Sequence, residues 1–350
     1  MAILVLNVGS SSLKAAVFDT SGTERLWNAS RSGVKLPGDL DTWLGPALAP
    51  WWSQISRAGH RVVHGGERFR APTPITPSTL PELEALSPLA PLHNPPALAA
   101  IRWLQQQRPD LPQWACFDTA FHATLPEAAY SYAIPQELRS QGYRRFGFHG
   151  INHQHVSQLA PGPRLISVHL GAGCSVAAIT EGQCIDTSMG FTPMEGLVMA
   201  TRSGSIDPGL LLALLHNGMG VRAVDDMLNH HSGLAGLSGL NGDWKELRGA
   251  AAQGHRGAQL AIQVFLHRLK AGIAAMTSSL GGVDQIALTG GIGSNDSELL
   301  EQLKDEMSWL GTPQWLQILA DEEGMIARLI SDREDRGFGA TSGSDAGDRH

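Results

Sequence analysis

The sequence predicts an α/β protein made of two duplicated domains. Residues 3–19 read as two apolar strands joined by a Gly-Ser-Ser-Ser turn, and residues 164–179 repeat this order of strand, small-residue turn and strand. A third glycine-rich turn, at residues 290–295, follows a strand-like segment at residues 285–289. Successive backbone N–H groups in such turns form a concavity that binds anions, and Lys14 adds an ammonium beside the first turn. We therefore expect the hairpin turns to bind phosphate.

The first turn differs from a P-loop, because residues 9–14 lack its second glycine and continue as a strand instead of a helix. Two such hairpins with a later glycine turn resemble the actin, sugar-kinase and chaperone-ATPase superfold. That resemblance implies two actin-like ATPase (ribonuclease H-like) domains with a nucleotide cleft between them. We place the N-terminal domain at residues 1–148, with segment 325–340 packing back on it. The nucleotide-binding C-terminal domain is placed at residues 149–324, before a frayed tail at residues 341–350.

Size and charge limit the class of protein. A chain of 350 residues with 42% apolar content is long enough for about two domains with a core in each. The net charge of −7 and the lack of a Lys/Arg cluster exclude nucleic acid as a partner. The N-terminus has no basic region and no long apolar stretch is uninterrupted, so we expect a cytoplasmic protein without signal peptide or membrane span. The three cysteines form no CxxC pair and are interpreted as buried thiols.

Polar residues recur where predicted elements begin or end. Asn94 is predicted to cap a helix with two prolines in its first turn, which places His93 at the helix N-terminus. The apolar strand at residues 114–117 ends at Asp118, which is either a site residue or a buried capping aspartate. Arg61 lies in a short strand ending in His-Gly-Gly, where a guanidinium binds carboxylate or phosphate or forms a surface ion pair.

Three histidines precede or begin a helix predicted near residues 152–160. His149, His153 and His155 suggest a metal site. We discount that site, because no cysteine or carboxylate completes a zinc ligand set.

Two glycine-rich loops and one long helix are predicted in the second half. Residues 186–209 form a long Gly/Ser/Thr loop that carries Arg202, and long structured loops tend to be functional. Residues 233–242 are predicted to form another loop. The apolar stripe at residues 255–281 predicts a long helix with a structural role.

Eight segments, in the same order, resemble the acetate/propionate kinase family. They cover residues 7–14, 61–67, 91–96, 117–122, 146–150, 186–196, 201–208 and 322–328. The resemblance implies a reversible, Mg²⁺-dependent transfer of the ATP γ-phosphoryl to acetate or another short-chain carboxylate such as propionate, giving an acyl phosphate and ADP. Mn²⁺ is the alternative ion, and the resemblance also implies a homodimer.

The resemblance assigns Arg61 to the substrate carboxylate, and Arg202 with His149 to the phosphoryl oxygens in the transition state. A carboxylate is already an anion at neutral pH, so the reaction requires cations that bring two anions together and no general base. Asp118 is therefore expected to orient an arginine and the attacking carboxylate.

Other residues are assigned by the same resemblance. Asn7 and Glu322 match the positions that hold magnesium, directly or through water. The substrate pocket is expected to include Arg61, His93, Phe148, Val63 and Pro193. The residues expected to bind the nucleotide are Ser10, Ser12, Lys14, His169, Leu170, Gly171, Ala172, Gly173, Asp243, Trp244, Lys245, Gly291, Ile292, Gly293, Ser294 and Asn295.

Three departures from the family pattern fall on the nucleotide side. Ala172 replaces an asparagine, Ser294 replaces a glutamate, and Lys245 replaces an arginine whose flat guanidinium could stack or form paired hydrogen bonds. We therefore expect either weak ATP affinity or another phosphoryl donor, such as pyrophosphate.

Two alternative functions remain open. In a sugar or polyol kinase, Asp118 would be a true base for a hydroxyl, although a neutral alcohol offers no carboxylate to the two arginines. A nucleotide-binding module without turnover would fit the altered adenosine side. The intact catalytic set argues against it.

Overall fold

The computed structural model describes residues 1–9, 12–331 and 333. The predicted frayed tail at residues 341–350 and the predicted nucleotide residue Ser10 lie outside the described residues. Within them the chain forms two compact units.

Two sheets are built from strands whose bounds follow in chain order. The strands are β1 (Ala2–Val8), β2 (Ser12–Asp19), β3 (Arg25–Ser32), β4 (Ile55–Val62), β5 (Thr73–Pro74), β6 (Gln113–Phe117), β7 (Arg164–Leu170), β8 (Cys174–Thr180), β9 (Gln183–Thr187), β10 (Gln285–Thr289) and β11 (Gln314–Gln317).

The helices range from one turn to seven turns. They are α1 (Gly45–Leu48), α2 (Thr79–Ala85), α3 (Asn94–Gln107), α4 (Glu127–Tyr130), α5 (Gln136–Arg139), α6 (Gly150–Leu159), α7 (Pro208–His216), α8 (Val221–His230), α9 (Gly233–Ser238), α10 (Trp244–Ala252), α11 (Arg256–Leu280), α12 (Gly290–Gly293), α13 (Ser297–Glu306) and α14 (Glu322–Ser331). Short 3-10 or π turns lie at Leu40–Leu44, Ala49–Trp51, Ser87–Leu89, Ala120–Thr124 and Ser308–Leu310.

Unit 1 comprises residues 1–62 and 72–116 and the described residues from 323 onward. Its sheet has the order β3-β2-β1-β4-β6-β5. The predicted first hairpin is present, and its antiparallel register pairs Asn7 with Lys14 beside the turn. The fully buried side chains of β1 form part of the core, together with α3.

Unit 2 comprises residues 63–71 and 117–322. Its sheet has the order β11-β10-β7-β8-β9. The second hairpin, β7–β8, is antiparallel, and the predicted long helix is α11, which packs on β8 and begins after a His255 cap. The apolar stripe of α11 is buried in the core, as the sequence predicts.

The two sheets share one topology, which confirms the predicted fold class of duplicated α/β domains. β1 pairs with β2 antiparallel and with β4 parallel, and β7 pairs with β8 antiparallel and with β10 parallel. The domain boundaries that we placed from the sequence stay a prediction. In the structure, residues 117–148 lie in unit 2, where the backbone of this segment bonds to the loop after β9: the Phe146 N–H donates to the Gly190 carbonyl.

Two local predictions were wrong. Asn94 does not cap α3: His93 is the N-cap residue, Asn94 is the first helical residue, and no side chain caps the helix. Within the predicted loop at residues 233–242, the chain forms α9, which packs against α11. The glycines of α9 suggested a loop, but Gly233 has φ +61° and lies so close to the carbonyl of Met199 that no Cβ fits.

The contact of α14 with β4 gives a stability prediction for unit 1. A Cβ at Gly59 would lie 2.5 Å from Ile326 Cγ2 and 3.0 Å from Ile330 Cδ1. Gly59→Ala should therefore overpack this contact and destabilise unit 1 by about 1–3 kcal/mol. Gly38→Ala is the matched control, because nothing lies within 4 Å of a Cβ there. Thermal unfolding followed by circular dichroism tests this, and equal midpoints for the two variants would contradict it.

Candidate active site

The turn between β7 and β8 is the centre of the candidate site in unit 2. The Gly171 N–H donates to the Gly173 carbonyl at 3.0 Å and closes the turn. A Cβ built on Gly173 would lie 2.7 Å from Nη2 of Arg202 and 3.1 Å from Nε2 of His149. Glycine at this position therefore allows a cationic and an imidazole side chain to reach the same backbone segment.

Arg202 is fixed by its own loop. The Ala200 N–H donates to the Ala172 carbonyl at 3.1 Å, which ties the loop to the β7–β8 turn. Nη1 of Arg202 donates to the Pro193 carbonyl at 2.5 Å. Burial lowers the pKa of Arg202 from its usual value, yet a guanidinium stays charged in proteins. The side chain is thus a fixed positive charge at the turn.

His149 is held in an uncommon backbone conformation. It has φ 57°, in the left-handed region, and is the N-cap residue of α6. The next N–H, that of Gly150, donates to the Asp118 carbonyl at 2.9 Å. The His149 ring stacks on His169, with centroids 4.2 Å apart. The structure therefore brings together His149, His169, Gly173 and Arg202, and it places buried Asp118 beside the start of α6.

His149 is the half-buried end of an otherwise buried hydrogen-bond network that the sequence analysis did not predict. Nδ1 of His149 lies 2.9 Å from the Ser175 hydroxyl, which lies 2.8 Å from Nε2 of His153. Nδ1 of His153 lies 2.8 Å from the Ser167 hydroxyl. Within the described part of the chain, no cluster of His, Cys, Asp or Glu is arranged to hold a metal ion.

His122 supports the segment that carries Phe148 and His149. Its Nε2 lies 3.0 Å from the Phe148 carbonyl and its Nδ1 lies 3.1 Å from Sγ of Cys184. Burial lowers the pKa of His122 to about 4, so the ring is neutral at pH 7. Phe148 and Val63, two predicted pocket residues, are both buried in the core of unit 2.

A cavity of about 930 Å³ opens beside the same turn. Eight of the predicted nucleotide-binding residues line it: Gly171, Ala172, Asp243, Trp244, Lys245, Gly291, Ile292 and Asn295. Seven other described residues of that prediction do not line it, and local structure explains three of them. Leu170 is fully buried in the core, Gly293 is buried in α12, and the Ser294 hydroxyl donates to the Gly290 carbonyl.

Six lining residues were not predicted: Ala200, Gly242, Arg248, Asp296, Ser297 and Glu298. Asp296 caps α13 and accepts a 2.7 Å hydrogen bond from the Trp244 indole N–H, which joins two walls of the cavity. Arg248 lies one turn after Trp244 on α10 and 3.7 Å from Asp296. The sequence contained two signals for these residues. The Asp-Ser-Glu pattern at residues 296–298 is typical of a helix N-terminus, and Arg248 follows Trp244 by four residues on one helix face.

In unit 1, the predicted metal and substrate residues Asn7 and Arg61 contact each other. Nη1 of Arg61 donates to Oδ1 of Asn7 at 3.1 Å, and Nδ2 of Asn7 donates to Oε1 of buried Glu323 at 2.7 Å. Lys14 is exposed on the paired strand directly opposite Asn7. Glu323, adjacent to the predicted Glu322, is a polar partner that sequence reasoning did not single out.

The remaining predicted residues lie at ends of elements. His93 is the N-cap residue of α3, Ser12 begins β2, and Glu322 begins α14. Asn7 offers an amide oxygen and Glu322 a carboxylate oxygen, and both are ligand types that Mg²⁺ takes. No described helix combines the length and apolar character of a membrane span.

Known proteins are similar to this chain in both sequence and fold. The family model described as the Acetokinase family matches residues 40–331. Acetate kinase from Deinococcus radiodurans is 45% identical over 342 residues, which cover 88% of this chain and 86% of that protein. The structure of a propionate kinase from Francisella tularensis has a TM-score of 0.86 at 35% identity, covering 94% of this chain and 98% of that one. Acetate kinase from Porphyromonas gingivalis gives a TM-score of 0.85 at 31% identity, with 93% and 98% covered.

The duplicated sheets, the glycine turn with its cation and the cavity beside it define an ATPase-like kinase fold. The chain belongs to the acetokinase family. The resemblance that we drew from the eight segments is confirmed, as is the predicted enzyme class, a phosphotransferase with a carboxyl group as acceptor.

Because Arg202 and His149 approach Gly173 closely, we predict that replacing this glycine by alanine lowers the activity. Gly173→Ala should displace Arg202 and His149 and lower kcat at least ~10-fold, since donors must be placed within a fraction of an ångström. Gly249→Ala on α10 is the control, because nothing lies within 4 Å of a Cβ there. Steady-state kinetics with matched circular dichroism spectra test this. An unchanged kcat for Gly173→Ala would contradict the geometry.

Buried His122 predicts acid sensitivity of folding. Its pKa is about 4 in the folded chain and about 6.5 when unfolded, so the unfolded state binds the proton more readily. The stability that neutral His122 contributes is complete above pH 6.5 and is lost as the pH falls from 6.5 towards 4. At pH 5 the loss amounts to about 2 kcal/mol. His122→Gln should be less stable at pH 7 and show a shallower fall in unfolding free energy between pH 7 and pH 5.

The control for this experiment is His216→Gln on α7, an exposed position whose replacement leaves His122 buried. Urea unfolding at a series of pH values gives both slopes. Parallel pH profiles for wild type and His122→Gln would show that His122 is not the group responsible.

Proposed function

We propose that this chain is an acetate kinase that transfers the γ-phosphoryl of ATP reversibly to acetate or propionate, giving the acyl phosphate and ADP. The observation that carries the proposal is the approach of Arg202 Nη2 and His149 Nε2 to the same residue, Gly173, at the turn that borders the 930 Å³ cavity. A phosphoryl group at such a turn would meet backbone N–H groups, a guanidinium and an imidazole.

Arg202 and His149 would act as the donors to the equatorial phosphoryl oxygens. Charge on these oxygens grows in the transition state, and fixed donors in a water-poor site stabilise it without reorganising. Asp118, 1% exposed, would orient an arginine and the attacking carboxylate, because an ionised acceptor has no proton to remove.

Arg61 would bind the acceptor carboxylate. Its guanidinium is already oriented by Asn7, which in turn is held by Glu323, so the cation is positioned before substrate arrives. His93 and the apolar side chains of Phe148 and Val63 would complete the recognition of a short acyl chain.

ATP is favoured as the donor by the size of the cavity. Its volume of about 930 Å³ lies within the usual range for organic ligands, and pyrophosphate would fill little of it. Pyrophosphate remains the second candidate because of one observation. The Ser294 hydroxyl bonds within α12, so the residue that replaces the family's glutamate turns to its own helix.

Magnesium would be held by oxygens of Asn7 and Glu322, with Mn²⁺ as a substitute. When bound, the ion would offset the phosphate charge that otherwise repels the carboxylate. Lys14, opposite Asn7 on β2, would add a further positive charge for the phosphates.

A cytoplasmic homodimer is the expected form of the enzyme. Helix α7 contains five leucines and none of its residues is buried; Leu210 is 49% and Leu212 is 56% exposed. Exposed apolar patches of this kind commonly mark protein interfaces. They support a self-association surface on unit 2.

The direct test is a hydroxamate assay that crosses acetate, propionate and butyrate with Mg-ATP and Mg-pyrophosphate. We expect hydroxamate from acetate or propionate with Mg-ATP and none after chelation of the metal. Arg202→Ala should lower kcat at least ~10²-fold, as removal of a transition-state donor does. The control is Arg222→Ala, an exposed arginine of α8 in the same unit.

Each alternative function has its own outcome in this assay. Turnover with pyrophosphate alone would replace ATP as the donor. Phosphorylation of glycerol or a hexose, with no hydroxamate, would favour a sugar kinase, and nucleotide binding without any turnover would favour the non-catalytic module.

A further inference from the structure

A chain of hydrogen bonds leads from His149 into the core of unit 2. It joins His149 Nδ1 to Ser175 at 2.9 Å, Ser175 to His153 Nε2 at 2.8 Å, and His153 Nδ1 to Ser167 at 2.8 Å. His153, Ser167 and Ser175 are all completely buried. Water therefore does not compete for these groups, and their protons must be shared among themselves.

The Ser167 end of this series of hydrogen bonds determines which group donates in each bond. In the part of the chain that the structure describes, His153 Nδ1 is the one hydrogen-bond partner of the Ser167 hydroxyl. If Nδ1 of His153 carried the proton, the Ser167 O–H would be buried without an acceptor, which costs about 1–3 kcal/mol. Ser167 therefore donates to Nδ1.

The remaining protons follow from this one. Burial lowers the pKa of His153 well below its usual value, so the ring is neutral and carries a single N–H, at Nε2. That N–H donates to the Ser175 oxygen. The Ser175 O–H then donates to Nδ1 of His149, which leaves the His149 proton on Nε2.

Two further charges favour the neutral form of His149. The ring lies at the N-cap of α6, where the positive end of the helix dipole opposes an imidazolium. Its Nε2 also shares the Gly173 turn with the Arg202 guanidinium. A second positive charge there would be repelled.

The stacked neighbour His169 is also held by a hydrogen bond. The side-chain amide of Asn152 lies 2.9 Å from His169 Nδ1 and orients this ring. Nε2 of His169 lies 3.8 Å from a Cβ built on Gly171, at the other end of the turn.

We propose that Ser175, supported by His153, is a positioning residue that holds His149 in the neutral Nε2–H tautomer and aims this N–H at the Gly173 turn. The role in phosphoryl transfer rests on the proposed function. The tautomer itself does not. Ser175 is completely buried, and in this proposal it acts through His149.

Kinetics with Ser175→Ala test the role in turnover. Removing the hydroxyl should lower kcat for hydroxamate formation by about 10- to 100-fold, with KM for ATP and acetate changed less than ~3-fold, because the donor acts in the transition state. His153→Gln should keep more activity than Ser175→Ala, since its side-chain amide can still donate to Ser175.

Ser157→Ala is the matched control. Ser157 is a buried serine of α6 whose hydroxyl donates to the Gln154 carbonyl, away from the network, so its removal should leave kcat unchanged. An unchanged kcat in Ser175→Ala, or a rise confined to KM, would overturn the positioning role. Equal losses in Ser175→Ala and Ser157→Ala would do the same.

Imidazole ¹⁵N NMR of the unliganded full chain tests the tautomer without any assay. The His149 signals, assigned by comparison with His149→Gln, should show a protonated Nε2 and a bare Nδ1, and Ser175→Ala should mix the tautomers. A protonated Nδ1 in wild type would overturn the inference even in an active kinase. If wild type forms no hydroxamate with any donor, the proposed function fails, and the NMR result alone decides the tautomer.

Discussion

The candidate site in unit 2 depends on the absence of a side chain at residue 173. Arg202 and His149 come from different parts of the sequence, and each is anchored through backbone hydrogen bonds: Ala200 to Ala172 for one, Gly150 to Asp118 for the other. Only the missing Cβ allows both side chains to approach one turn. These main-chain bonds fix the segments that carry the two side chains, and the side-chain bonds to Ser175 and to the Pro193 carbonyl orient the ring and the guanidinium within them.

Two buried, neutral histidines support His149 and the segment that carries it. His122 and His153 lose their charge through burial, and their nitrogens are satisfied by hydroxyl, thiol and carbonyl partners. A buried network in which each member has a partner gives rigidity without the cost of desolvating charges. Such an environment suits a reaction whose need is for oriented donors.

The sequence predicted elements that depend on local pattern. The glycine-containing turns and the continuous apolar runs indicated β1–β2 and β7–β8, and the apolar stripe of α11 indicated its length. It failed where tertiary contact overrides local preference: the glycines of α9 reflect close backbone approach, and Asn94 is fully buried inside α3 instead of capping it. The contact of His153 with Ser175 joins a helix and a strand, and no spacing within either element indicates it.

We infer from the structure that the residues departing from the family pattern on the nucleotide side affect nucleotide binding and not the transfer step. Ala172 keeps its backbone role, since its carbonyl still accepts the Ala200 N–H that positions the Arg202 loop. What the alanine lacks is one side-chain amide. Lys245, on α10, lines the cavity. Interactions lost equally from bound substrate and transition state change KM and leave kcat alone. These substitutions should therefore tune donor affinity, while the turn, the arginine and the histidine retain the transfer step.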